Sequence, residues 1–503
     1  MLLNTPNLLK NASWGGLAAS IRLVFGMGNL FLAIKLVGAT SYGYLIVINS
    51  IAAFYVALIS SVNIIAIANA VELRNQPDPV IKLKGLFSAV WIIIVVSVLL
   101  LLLAVFLFGP YFLQSFVYNG DDAGVQAELE QLLTLISLLA MSQLFTAGHA
   151  TIVESLGRFD LAARAKLPGM PFIFICLSVL GFMSPYEVDI ITVGEVMLAG
   201  AIIDLIFIYY FRLTLGLSGS ISFSMESLRI LPKLFGQGVT LQGANLVNIF
   251  FDPLNKFLLN LYVGPASVST YEVAMRFIRG IQTIFSGAFR TFLQLADKLK
   301  NESGGDYIKT MQYGFVPAIL MYAAGCILMV SVDRYWVEGE MEQLSLFFLM
   351  LIPPGIGLIF AGPLYNVLVG IRDLRFIFRM HLNLALLNLV ASFTLIPLFG
   401  LYGAGLGLLL ATAYNAIAEL RRYNKMIGPI RGLAAEFSKR MISIILPLLL
   451  SVVVVISDQV LINNMTLLLV IIISTILLTI LAISDPLTLK FTRLMLKKKN
   501  YKV

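Results

Sequence analysis

Long apolar runs separated by short polar connections make up nearly the whole chain, and each run is long enough to cross a bilayer. About fourteen can be counted, near 13–36, 44–69, 85–108, 131–155, 168–185, 191–211, 237–262, 268–293, 311–332, 343–370, 377–398, 402–420, 441–457 and 464–484. Runs of this length lack the roughly ten-residue alternation of a membrane β-barrel. The pattern predicts an all-α polytopic membrane protein with about fourteen transmembrane helices.

Two neighbouring runs break the rule of uniform apolarity. The seventh carries Gln242, Asn245, Asn248, Asp252, Asn255 and Lys256; the eighth carries Glu272, Arg276, Arg279, Thr283, Ser286 and Arg290. Steps of three and four residues put each set on one helical face. A charge at the bilayer centre costs about 2.5–3.5 kcal/mol even on the lenient insertion scale, so neither face is expected to look at lipid. Each is expected to line a wet cavity.

Composition removes the soluble alternative: 59% of the 503 residues are hydrophobic and only 12% charged. The net charge of +8 reads as topology rather than as a nucleic-acid surface. With the N-terminus placed inside, twenty-nine of the 35 Lys and Arg fall in cytoplasmic segments and Arg334 alone on the opposite side. The other five lie within spans: Arg22, Lys35, Lys256, Arg276 and Arg279. So lopsided a split obeys the positive-inside rule and predicts cytoplasmic termini. Outer connections are short and acidic instead, with Asp121, Asp122, Glu128, Glu130, Glu187, Asp189, Glu338, Glu340 and Glu342. The Lys497–Lys499 run reads as a contact with anionic lipid. No basic leader or small-residue cleavage site precedes the first span, which is expected to be a retained helix. Cys176 and Cys326 sit in apolar runs and read as small hydrophobes.

An internal repeat organises the spans. Asn29-Leu-Phe-Leu-Ala-Ile-Lys-Leu-Val-Gly38 aligns with Asn255-Lys-Phe-Leu-Leu-Asn-Leu-Tyr-Val-Gly264, and one insertion then brings Tyr44 to Tyr271 and Asn49 to Arg276. The match relates spans one and two to spans seven and eight, so orientation is unchanged, as in parallel repeats about an axis along the membrane normal. Expected domains are an N-lobe of six helices (1–212), a cytoplasmic linker with an amphipathic helix (213–236), a C-lobe of six helices (237–425), and two further helices with a basic tail (426–503).

Here the chain resembles a known family. Gly38-Ala-Thr-Ser-Tyr-Gly43-Tyr after the first span, Gly157-Arg158-Phe159 after the fourth, and Asp252, Gly264, Tyr271 and Arg276 across spans seven and eight are similar to the polysaccharide-transport (O-antigen, Wzx-type) flippases of the multidrug/oligosaccharidyl-lipid/polysaccharide exporter superfamily. The resemblance covers residues 5–425 well and the last eighty poorly. It implies two six-helix lobes around a central cavity in a bacterial inner membrane. It also implies alternating access by undecaprenyl-pyrophosphate-linked oligosaccharide repeat units, moved from the cytoplasmic to the outer leaflet. The implied partners are the lipid-linked glycan, membrane lipids and other polysaccharide-assembly proteins. No cofactor is implied, and a coupling Na⁺ or H⁺ is compatible with the pattern. The two additional helices resemble those of lipid II flippases and keep a lipid II-type cargo as an alternative; a cation-coupled multidrug antiporter is the other.

Such a cargo needs cations for two phosphates and amides for hydroxyls, because moving the head group unaided strips water from both. Arg22, Arg276 and Arg279 lie roughly 12–16 Å inside their spans at 1.5 Å per residue. With Lys256 they form the expected anion site, guanidinium being suited to pyrophosphate by its planar fork. Asn29, Gln242, Asn245 and Asn248 are the expected glycan contacts, although amides also bond helix to helix. Asp204, Asp252, Glu272 and Glu154 are candidates for ion coupling. The structural alternatives stay open: Arg276 and Arg279 neutralising Asp252 and Glu272, Lys35 and Glu272 snorkelling to the outer interface, Asp204 pairing with Arg22, and His149 packing between helices. Four deep cations against Asp204 and Asp252 favour an anionic cargo. Neither a phosphate-cradling Gly-rich loop nor a His-Glu metal motif occurs, and no connection is large enough for a catalytic domain, so an enzyme is not expected.

Overall fold

The computed structural model describes residues 8–73, 79–118, 120, 122–183, 188–216, 225–289, 305–336, 341, 343–370, 373–426, 441–460 and 470–478. Residues 217–224 of the expected linker, the acidic Asp121, Glu187, Glu338, Glu340 and Glu342, much of the fourteenth run and the basic tail lie outside them. Apart from short turns, the described residues are helical: α1 (Leu8–Leu73), α2 (Pro79–Phe112), α3 (Ala123–Ser155), α4 (Phe159–Ala165), α5 (Gly169–Met183), α6 (Ile190–Thr214), α7 (Met225–Tyr262), α8 (Pro265–Phe289), α9 (Gly305–Tyr335), α10 (Leu344–Gly370), α11 (Leu374–Phe399), α12 (Leu401–Met426) and α13 (Met441–Gln459), with a further helical stretch at 470–478. Among them, nine helices are apolar and long enough to cross a membrane. The solvent is written on their surface. Val95, Leu99, Leu103 and Phe106 of α2 and Leu386, Val390 and Phe393 of α11 are exposed in rows that water would not tolerate. The chain is an all-α, multi-pass membrane protein.

Two compact units divide it, Met1–Ser269 and Thr270–Val503. In the first, α1 packs against α3, α5 and α7, α3 against α6, and α2 against α7. Helix α1 covers two of the predicted spans and is broken at Gly38, whose φ of 79° and ψ of 159° an L side chain resists. Its repeat equivalent, Gly264, has φ 115° and separates α7 from α8. These two turns touch: the Ser269 hydroxyl donates to the Ala39 carbonyl at 2.6 Å, and the Gly43 backbone lies so close to Pro265 that a Cβ would collide with its carbonyl. At the offset that pairs Gly38 with Gly264, Ala39 corresponds to Pro265 and Gly43 to Ser269. The two contacts therefore exchange under the repeat operation, as contacts across a two-fold axis do.

Helix ends are satisfied locally. A single π-helical turn, Leu113–Val117, ends α2, and the Asn260 amide of α7 donates to the freed carbonyls of Phe116 and Val117 at 2.7 and 3.0 Å. Phe112, Phe116 and Phe257 stack around that joint. Asp122 and Asp189 cap α3 and α6 through their backbone amides.

In the second unit α10, α11 and α12 pack together, and α9 packs on α10 and α13. Phe277 and Tyr271 of α8 meet Phe348 and Phe347 of α10. Arg334, the lone basic residue assigned to the outer side, ties α13 in place. It donates to Oδ1 and the carbonyl of Asp458 at 2.6 and 2.7 Å, while Ser345 donates to Oδ2 at 2.8 Å. The helical stretch at 470–478 adds Leu478 to a cluster with Val316, Leu320 and Ala323 of α9. Cys326 is buried and Cys176 half-buried, both as free thiols.

Candidate functional site

The first unit holds a half-open cavity of about 370 Å³ between α1, α3, α5 and α6. Arg22 of α1, Lys166 of the α4–α5 turn and Asp204 of α6 all reach its wall, with Gln143 and Thr146 of α3 supplying neutral polar groups. Glu154, near the end of α3, is within electrostatic reach of both Arg22 and Lys166, as is Asp204. Two cations and two carboxylates are therefore gathered, yet no ion pair forms among these four. Arg22 instead turns its Nε back to the carbonyl of Ala18, 3.2 Å away. Charges so close and unneutralised by direct contact leave their hydrogen-bonding capacity to whatever enters.

Asp204 has a second task. Its Oδ1 accepts the Gly169 amide at 2.8 Å, so it caps α5, whose first N–H groups have no partner within their own helix. The close approach is possible because residue 169 has no side chain: a Cβ there would strike both the Asp204 carboxylate and the Gly200 carbonyl. One carboxylate of the cluster thus also serves a helix end, while the cluster keeps two cations beside two carboxylates. Above it, Asn29 is buried and bridges α1 to α5 by donating to the Met170 carbonyl at 3.1 Å, leaving its own Oδ1 without a hydrogen-bond partner.

The striped helices look different. Lys256 and Asp252, four residues apart on α7, pair at 2.7 Å. Arg276 and Glu272, with the same spacing on α8, pair at 2.7 and 3.1 Å. Glu272 is 6% exposed, so it pairs inside the protein instead of reaching to the interface, whereas Lys35 is exposed. Arg279 is exposed. Gln242, Asn245 and Asn248 lie on α7, with side chains outside the described ones. Of the predicted site residues, the structure brings together Arg22, Asp204 and Glu154, pairs Asp252 with Lys256 and Glu272 with Arg276, and sets Asn29 beside the cavity. His149 packs edge-on to Trp91 and Tyr209 and shares a 3.1 Å hydrogen bond between its Nδ1 and Arg212. Lys166 was assigned to a cytoplasmic connection from sequence. The signal for its role was the Pro168-Gly169 break directly after it, which starts a new helix at the cavity wall. Among the described residues no three His, Cys, Asp or Glu side chains gather as a metal site requires.

No protein-family model matches the chain, and no curated protein matches it in sequence. Solved structures do match. A lipid II flippase, MurJ, in an inward closed conformation superposes with a TM-score of 0.61 at 16% identity, covering 94% of this chain and 98% of its own. An inward-facing multidrug resistance MATE family transporter of the MOP superfamily gives 0.59 at 14% identity, covering 81% and 98%. A MOP superfamily transporter from Pyrococcus furiosus, described by the reversed polarity of its binding pocket, gives 0.52 at 13%, covering 83% and 95%. The fold of this chain is therefore the one shared by multidrug/oligosaccharidyl-lipid/polysaccharide superfamily transporters.

Proposed function

We propose that the protein is a flippase that carries undecaprenyl-pyrophosphate-linked oligosaccharide repeat units from the cytoplasmic to the outer leaflet of a bacterial inner membrane by ion-coupled alternating access, with both termini cytoplasmic. The carrying observation is the cavity of the first unit, where Arg22 and Lys166 reach the wall without an ion-pair partner among the described residues. In this reading residues 1–212 and 237–425 act as two lobes joined by 213–236, and residues 426–503 extend the second lobe. Other polysaccharide-assembly proteins would deliver and receive the cargo. Arg22 offers two parallel donors to a phosphate and Lys166 a point charge. Gln143 and Thr146 suit hydroxyls, and the paired Asp252–Lys256 and Glu272–Arg276 give the striped helices polar faces of low net charge.

A charge-assisted hydrogen bond contributes about 1.5–3 kcal/mol, so Arg22→Gln and Lys166→Gln should each weaken pyrophosphate-lipid binding about tenfold to a hundredfold, with membrane insertion intact. The test is a deletion strain that accumulates lipid-linked glycan on the cytoplasmic leaflet, complemented by wild type but not by the double variant. Full export by that variant would refute the assignment. A lipid II-type cargo is the second reading, supported by the greater coverage of this chain by the lipid II flippase (94%) than by the multidrug transporter (81%). Rescue of lipid II translocation, without rescue of oligosaccharide export, would decide for it.

A further inference from the structure

Helix α12 buries a carboxylate that none of the preceding chemistry uses. Glu419 is 1% exposed, and Asn415, one turn earlier, is 7% exposed. The Asn415 amide donates to Glu419 Oε1 at 3.3 Å. Two oxygens are left over: neither Glu419 Oε2 nor Asn415 Oδ1 has a hydrogen-bond partner, and both are sealed from solvent. No cation among the described residues is within ion-pair distance of Glu419. Arg422, one turn further on, is taken by Asp373 and lies over the Phe376 ring. From the elements packed on α12, Tyr365 of α10 is within electrostatic reach, and His381 of α11 stacks edge-on to that tyrosine. Arg375, Arg379, Arg421 and Lys425 are exposed.

A bare carboxylate in such a place costs several kcal/mol, and two adjacent acceptors with no donor cost more. A single proton resolves both. Placed on Oε2, it neutralises the acid and turns that oxygen into a donor, for which Asn415 Oδ1, one helical turn away, is the orphaned acceptor. A metal cation fits less well, since hard cations gather about six or more oxygens and only two are free here.

We propose that Glu419 is a proton-binding site of the second unit, held in its neutral form by Asn415, and that its loading and discharge couple the transport cycle to a proton gradient. The coupling role rests on the transport reading above; the proton site does not. Infrared difference spectroscopy on the purified protein in lipid nanodiscs tests the site without cargo. A protonated-carboxyl band that shifts in heavy water is expected in wild type, lost in Glu419→Gln and displaced in Asn415→Leu. Absence of the band, or a Na⁺-induced thermal stabilisation that Glu419→Gln abolishes, would overturn the proton site. In proteoliposomes, Glu419→Gln should retain binding of the cargo head group while losing acceleration by an imposed proton gradient. Acceleration equal to wild type would overturn the coupling. In the Glu419→Gln background Asn415→Asp exchanges the acid and the amide between the two positions and should restore a carboxyl band.

Discussion

Glu272 illustrates how a helical stripe conceals its own chemistry. Its spacing placed it on a polar face with Arg276, but only packing decides whether two such groups face a ligand or each other, and at four residues apart they face each other. Because Arg276 is about one-third exposed, removing it should cost on the order of 2 kcal/mol, less than the 3–5 kcal/mol of a fully buried pair. Glu272→Gln with Arg276→Gln should recover most of that loss, because no buried charge is then left alone. A double-mutant cycle in detergent melting measures the coupling. Additive losses would detach the pair from stability. Arg22 and Asp204 were legible together because both stand out as lone charges in apolar runs. Lys166 escaped notice because a basic residue beside a turn reads as topology. Glu419 escaped because a carboxylate at the end of a run, followed by Arg421 and Arg422, reads as a solvated helix terminus; its burial comes from α10 and α11, which local sequence does not contain.

At the scale of elements the sequence was most informative where backbone geometry leaves one residue type. Gly38 and Gly264 were matched by alignment and prove to occupy equivalent positive-φ breaks. What the alignment could not foresee is that the two turns lie against one another, since contact is a property of two segments and not of either pattern. Gly43→Val should test that contact: its side chain meets the Pro265 backbone, which cannot swing away, and overpacking of this kind costs about 1–3 kcal/mol. A lowered melting temperature is expected, whereas Ala39→Ser, a small change on the other turn, should leave it unmoved. The break in α1 was legible as well, because a glycine between two apolar runs reads as an interruption, and Gly38 is where the helical backbone gives way.

For the molecule as a whole, the apolar runs carried the class and the fold, but the balance of charge within the spans depends on packing. Of the four deep cations, Lys256 and Arg276 sit in internal pairs, Arg22 joins the cavity cluster, and Arg279 is exposed. If transport requires the Gly38 and Gly264 turns to part, Ala39→Cys with Ser269→Cys should halt it on oxidation and release it on reduction, read as lipid-linked glycan reaching the outer leaflet. Unimpeded flux through the oxidised form would show that the turns stay together. The Arg334–Asp458 tie carries a practical warning for anyone mapping this membrane topology with reporters. A fusion truncated ahead of residue 458 deprives the arginine of its counter-ion and Ser345 of its acceptor. The preceding helix would then be free to slide, and the reporter would record the topology of a damaged protein.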